Sequence, residues 1–179
     1  EDASATLDYL DEGEHTISIQ SRYLSGDTSA IASLSFIIDA VEGPALIFYP
    51  RRHIATQGST VTFQILAEEV TSLMAAELHI EFDPSKLEII SVSQGSLFQN
   101  GQESIFSYDT DDNSIEVLTS LLSSDSPSVN GTGDLIQIEV KSLVSGETSL
   151  SFNGNDIFRN SNNDDIVILE KINGIVYTQ

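Results

Sequence analysis

The chain has 179 residues, with 28 acidic and 7 basic side chains, a formal charge of −21, and neither cysteine nor tryptophan. Its negative field opposes nucleic acid and anionic lipid, and without cysteine there are no disulfides, thiolate metal sites or thiol nucleophiles. Hydrophobic residues make up 40% of the chain, with no run long enough to span a membrane, and no signal peptide opens it. It therefore reads as a soluble, mature or excised portion of a protein. The length accommodates one large sandwich, or one domain and a fragment, with a sizeable core. The surplus carboxylates suit basic proteins, divalent cations or uncharged glycans as partners, and equally serve to keep a protein hydrated in salt.

Alternation of apolar and polar residues, the period of a half-wet strand, recurs along the chain. Residues 16–23 carry Ile17 and Ile19, residues 32–39 carry Leu34, Phe36 and Ile38, and Ser25-Gly26-Asp27 supplies the turn between them. Two such strands are too few for a sandwich. Val41-Glu42-Gly43-Pro44 reads as a linker. Residues 46–49 predict a short strand stopped by Pro50, and Val61, Phe63, Ile65 and Ala67 the inward face of the next, after a turn at Gln57-Gly58-Ser59. Residues 68–72 are polar and irregular. Ala76, Leu78, Ile80 and Phe82 then alternate with Ala75, Glu77, His79 and Glu81. Pro84 lacks an N–H and holds Asp83 extended, so the chain turns there and continues with Leu87, Ile89 and Val92 toward the core and Ile90 opposite.

Beyond a loop at 99–102, strands are predicted at 105–108, 115–122, 136–140, 150–152 and 166–176, with a turn at 109–114. In 115–122, Leu118, Leu121 and Leu122 accompany Ile115 and Val117, so both faces are apolar, more than a half-wet strand requires. Helical periodicity is absent. Short strands with regular turn signals predict an all-β fold, an antiparallel β-sandwich.

Phe82-Asp83-Pro84-Ser85-Lys86-Leu87-Glu88-Ile89-Ile90-Ser91-Val92, with the alternating run before it and Gly95 after it, resembles the third and fourth strands of cohesin domains. The likeness continues through Val129-Asn130-Gly131-Thr132-Gly133-Asp134-Leu135-Ile136-Gln137-Ile138 and ends at Gly174-Ile175-Val176-Tyr177. It implies a nine-stranded jelly roll over residues 43–179 that binds a dockerin across the sheet holding the third, fifth and sixth strands. By position it implicates Ala75, Glu77 and His79, then Tyr108, then Thr119, Leu121 and Leu122. Glu77 would meet hydroxyls or basic groups of a partner helix, and Ala75 stands where family members often carry an amide. Leu121 and Leu122 would be the apolar anchor of the interface; packing within the sandwich is the other reading of that pair. Leu10-Asp11-Glu12-Gly13-Glu14-His15-Thr16, with Arg22, Gly26 and Phe36-Ile37-Ile38-Asp39-Ala40, resembles the closing strands of an immunoglobulin-like repeat of a bacterial surface protein. Residues 1–42 are thus expected to be a partial β segment and linker.

Chemistry is sparse by comparison. His15, His53 and His79 lie on separate predicted elements without local ligand spacing, and no Gly-x-Ser-x-Gly elbow occurs. Carboxylates abound, but 7% aromatics without tryptophan offer a sugar little to stack on, so neither an enzyme nor a carbohydrate-binding module is favoured. Asp109-Thr110-Asp111-Asp112-Asn113 and Asn160, Asn162 and Asp164 have the oxygen spacing of a calcium loop, but Ser114 and Ser120 replace its glycine and glutamate. Turn capping is the simpler role, a weak structural calcium the other. Asn130-Gly131-Thr132 fits a glycosylation acceptor and is assigned no role. The expectation is a non-catalytic extracellular receptor, secreted or on the cell surface, without cofactor. A calcium-stiffened stalk or adhesin domain is the alternative.

Overall fold

The computed structural model describes residues 13–38, 40–99, 103–122 and 127–179. The expectations for Leu10-Asp11-Glu12, Asp39 and residues 100–102 lie outside them. The chain divides into two units, Glu1–Val41 and Glu42–Gln179. In the first, β1 (Gly13–Ile19) and β2 (Ala32–Ile38) form an antiparallel pair with Ile17 opposite Leu34 and His15 opposite Phe36. The strand predicted to reach Tyr23 ends at Ile19. Beyond it, an isolated bridge joins Arg22 to Thr28.

The second unit is a β-sandwich built around β5 (Thr60–Phe82), a single strand of 23 residues in place of the two that the pattern predicts. Residues 60–73 of β5 lie between β3 (Ala45–Tyr49) and β9 (Val129–Ser142). β6 (Leu87–Gln94) pairs with β9, and β12 (Glu170–Ile172) runs parallel to β3, which completes the first sheet. Residues 75–82 of β5 have β8 (Ser114–Leu122) on one side. On the other lie β10 (Gly146–Phe152) and β11 (Ile157–Asn160). β7 (Glu103–Thr110) pairs with β8 at the edge. β13 (Gly174–Thr178) pairs with β10 and runs parallel to β4 (Arg52–Ala55). With β5 counted twice, and β3 with β4, β10 with β11 and β12 with β13 each taken as one broken strand, the described strands are the nine of the jelly roll.

β5 changes sheets in the polar stretch that looks irregular in the sequence. Its register against β9 shifts between Ala67 and Val70 and again between Val70 and Leu73. Glu69 and Ser72 take left-handed φ values of 51° and 55°. Bulges of this kind bend a strand and increase its twist. The backbone N–H of Glu69 donates to Thr132 Oγ1 at 3.1 Å, and that of Ser72 to Asn130 Oδ1 at 2.8 Å. The Asn130-Gly131-Thr132 segment thus caps the bend, while Val70 and Leu73 stay buried in the core.

The core lies between the sheets. Phe63, Ile65, Ile136 and Ile138 line it from one side, and Leu78, Ile80, Ile115 and Val117 from the other. Phe48 meets Phe63 edge-on at 5.5 Å and Phe152 at 4.9 Å. At the predicted corner the Asp83 carboxylate accepts the Ser85 hydroxyl and N–H, and these bonds hold its carboxyl below the usual value. The Asp83 carbonyl takes the N–H groups of Lys86 and Leu87. Residues 166–169 are not a strand: Ile166 and Ile168 pack against the core, so their alternation reports burial without pairing. β4 and β11, four residues each, are too short for a periodic signal.

Asp134 is 7% exposed, and its neighbourhood is tight. Gln64 and Gln137 both donate to Oδ2, while Oδ1 is buried and has no hydrogen-bond partner among the described residues. A Cβ on Gly95 would meet the Asp134 carbonyl oxygen at 2.3 Å, which explains the glycine there. Burial raises the Asp134 carboxyl above its ordinary value, against the lowering effect of the glutamine bonds. A raised value in the folded state means stability that is present below the unfolded value and lost as pH rises through the folded one.

Two outcomes follow from these contacts. Asp134→Asn removes the buried charge, so the unfolding free energy from urea denaturation should rise at pH 7 by on the order of 1 kcal/mol, and the gain should vanish below about pH 4. Asn130→Ala uncaps the Ser72 N–H and should cost about 1 kcal/mol in the same assay at any pH.

Candidate functional site

Directly opposed residues of an antiparallel pair share one face of the sheet, so the register fixes what each surface presents. On the side of the second sheet away from the core, Ala75 lies opposite Ser120, Glu77 opposite Leu118 and His79 opposite Glu116. Toward the edge, Ile105 of β7 is opposite Ser120. On the far side of β5, Ile157 is opposite Glu77 and Arg159 opposite Ala75. Ala75, Glu77, His79 and Leu122 of the sequence-based set therefore share this outer face.

Three residues of that set do not. Thr119 is fully buried, and Gln94 of the opposite sheet donates to its hydroxyl at 3.3 Å. Leu121 is 4% exposed and belongs to the core. Tyr108 is opposite Val117, so it lies on the core side of the sheet; its exposure comes from its place on the edge strand. The parity of β8 explains the correction. Ile115 and Val117 face inward, and a period of two sends Thr119 and Leu121 the same way, leaving Leu118, Ser120 and Leu122 outside. The sequence signal was the apolar residue on each face, and Leu118 rather than Leu121 was the surface member.

Leu118 and its neighbours Ile105 and Ile157 were missed by sequence reasoning, as was Glu116. Ile105, Leu118 and Leu122 are each 44% exposed and Ile157 is 39% exposed, and what sets them apart is that they share one face of the sheet. Ala75 has too short a side chain to fill the space between Leu118 and Ile157, and a shallow depression of about 190 Å³ lies there. Around this apolar centre sit charges. His79 Nε2 and Glu77 Oε1 are 3.0 Å apart, Glu116 is across the strand pair from His79, and Arg159 is ion-paired with Asp165. The backbone N–H of His79 donates to Asp156 Oδ1 at 2.7 Å, and Lys171 pairs with the other oxygen of that buried carboxylate.

The other sequence candidates are engaged locally. Asn160 Oδ1 accepts the N–H groups of Asn162 and Asp164, and Asp109 Oδ1 that of Thr110, so these oxygens cap their own turns. His15 stacks on Phe36 at 5.7 Å, and His53 Nε2 lies 2.9 Å from the Thr62 carbonyl. Among the described residues of the second unit, exposed tyrosines occur on β3, β7 and β13, strands that do not pair with one another, so they form no row on which a sugar could stack.

A sandwich with an open strand face that mixes half-exposed apolar residues with Glu77, Glu116 and Arg159 has the make-up of a surface for binding another protein. Residues 53–174 match the Cohesin domain. The chain belongs to the cohesin family, and the match begins beyond the first unit.

Among solved structures, it is similar to a non-cellulosomal cohesin from the hyperthermophilic archaeon Archaeoglobus fulgidus, with 23% identity and a TM-score of 0.63 over 75% of this chain and 90% of that one. A type I cohesin–dockerin complex from Clostridium thermocellum matches at 17% identity and a TM-score of 0.63, over 75% and 98% of the two chains. A type II cohesin from Acetivibrio cellulolyticus matches at 13% identity and a TM-score of 0.61, over 74% and 92%. A search of the curated proteins found no match.

Opposite outcomes distinguish the two leucines. Leu121→Ala should lower stability by about 2–5 kcal/mol through the cavity it leaves, whereas Leu118→Ala should change it by about 0.5 kcal/mol or less. Urea denaturation of both variants checks this.

Proposed function

We propose that residues 42–179 are a non-catalytic receptor that docks a dockerin-type module on the outer face of β7, β8, β5 and β11, on a protein displayed outside the cell. The observation that carries this reading is the set of half-exposed apolar residues on one face, with Leu118 and Ile157 lining the depression at Ala75 and Ile105 and Leu122 beyond it on the neighbouring strands. Keeping such residues half exposed gains the isolated chain nothing, while covering them removes apolar surface from water at roughly 25 cal/mol per Å². The depression accepts an apolar side chain, the arrangement that concentrates binding energy in protein interfaces. Glu77 and Glu116 supply acceptors for hydroxyls or basic groups at the rim of the same contact.

The Clostridium thermocellum neighbour is a complex with a dockerin, which gives the partner class its support. The face is built on paired strands, so it is formed before the partner arrives and little ordering cost is expected from this side. Because the turn oxygens at Asn160 and Asp109 are taken up by their own backbone, a calcium requirement in docking is assigned to the partner.

Titration calorimetry against a panel of dockerins, in calcium and in chelator, tests the proposal. Saturable binding is expected, with Leu118→Ala and Leu122→Ala each weakening it at least about tenfold. Failure of every dockerin, or binding indifferent to both leucines, would overturn it.

A further inference from the structure

Glu77 and His79 are two apart on β5 and therefore project on the same side, and the register sets Glu116 of β8 directly opposite His79. One imidazole nitrogen and two carboxylate oxygens from these residues lie within 4.8 Å of one another. We propose that Glu77, His79 and Glu116 form a three-ligand site for a divalent transition-metal ion, with zinc as its occupant. The inference is argued from this geometry and not from the docking reading, although Glu77 and Glu116 also belong to the proposed docking face.

The donor set selects the class of ion. Imidazole nitrogen with carboxylate oxygen suits zinc and its neighbours, whereas calcium and magnesium take oxygen donors in larger number. At metal–ligand distances of about 2.0–2.2 Å, donors around a four-coordinate zinc are roughly 3.5 Å apart. The gap from the present spacing is small. Glu116 is exposed and its side chain is free to swing inward, and Glu77 Oε1 is already 3.0 Å from His79 Nε2. Solvent supplies the fourth ligand on the open side of the sheet.

The frame is rigid where it has to be. His79 is fixed at its backbone by the bond to Asp156, which Lys171 in turn holds. Coordination through Nε2 uses the nitrogen that now lies 3.0 Å from Glu77 Oε1 and leaves Nδ1 to carry the ring proton. Two carboxylates and a neutral ring then surround a dication, and the site loses its surplus negative charge. The chain's formal charge of −21 adds a favourable background field for any cation.

The test is calorimetric titration of the whole chain, without partner, with zinc chloride in a non-coordinating buffer, followed by NMR of the histidine rings. One saturable equivalent is expected, with ring resonances of His79 shifting and those of His15 and His53 unmoved. His79→Gln and Glu116→Gln should each weaken binding by about tenfold or more, with circular dichroism without zinc unchanged and, for the exposed Glu116, the thermal midpoint unchanged as well. No saturable binding, binding equal to the parent in both variants, or a shift at His15 or His53 instead would overturn the site.

Discussion

The second unit depends on one strand lying in two sheets. A straight strand of 23 residues would run far past the edge of a sandwich this size, so β5 must bend, and the bend uses left-handed backbone at Glu69 and Ser72. Left-handed geometry is uncommon for residues other than glycine, and it turns N–H groups out of the ladder. Asn130 and Thr132 accept those groups, which makes the start of β9 part of the same device. Only three residues after Ser72, the strand presents Ala75. The proposed docking face therefore inherits its position from the bend: the segment that builds the first sheet also aims the centre of the second one.

Alternation does the rest. β8 is apolar on both faces, and the two faces have different work. Ile115, Val117 and Leu121 close the core together with Leu78 and Ile80, while Leu118 and Leu122 stand in water. Core leucines contribute to folding directly, whereas exposed ones contribute only when something covers them. A strand with this composition is an economical way to give a sandwich a binding surface without disturbing its interior, because the pleat keeps the two sets of side chains independent. Ala75 completes the arrangement by being small; a long side chain there would fill the depression between Leu118 and Ile157.

Much of this was legible in the sequence. The sandwich followed from alternation and turn residues, and the Asp83-Pro84-Ser85 corner is as its chemistry predicts. The continuity of β5 was not legible: a polar stretch looks like a loop, and nothing local announces that Asn130 and Thr132, 58 and 63 positions away, will satisfy its backbone. The face was half legible. Ala75, Glu77 and His79 fell on the correct side because their own alternation is clean, but Thr119 and Leu121 were assigned outward against the parity set by Ile115 and Val117. Tyr108, implicated by position in the family likeness, lies opposite the inward Val117 and so falls on the core side of the edge strand. Ile157 was invisible because β11 is too short to show a period, and the Glu77–His79–Glu116 cluster needs the register between two strands, which only the fold supplies.

The charge and the apolar stripe constrain each other. A surface with several half-exposed leucines and isoleucines invites self-association, and an edge strand such as β7 adds unpaired backbone groups to that hazard. Here the edge carries Glu103 and Asp109, and the face itself carries Glu77 and Glu116, on a chain whose formal charge is −21. Two copies meeting face to face would bring like charges within a Debye length of about 8 Å at physiological salt, where screening is weakest. A partner with basic groups around an apolar ridge faces no such penalty. If this face docks a partner, the carboxylates that oppose its contact with a second copy also favour a partner that carries basic groups.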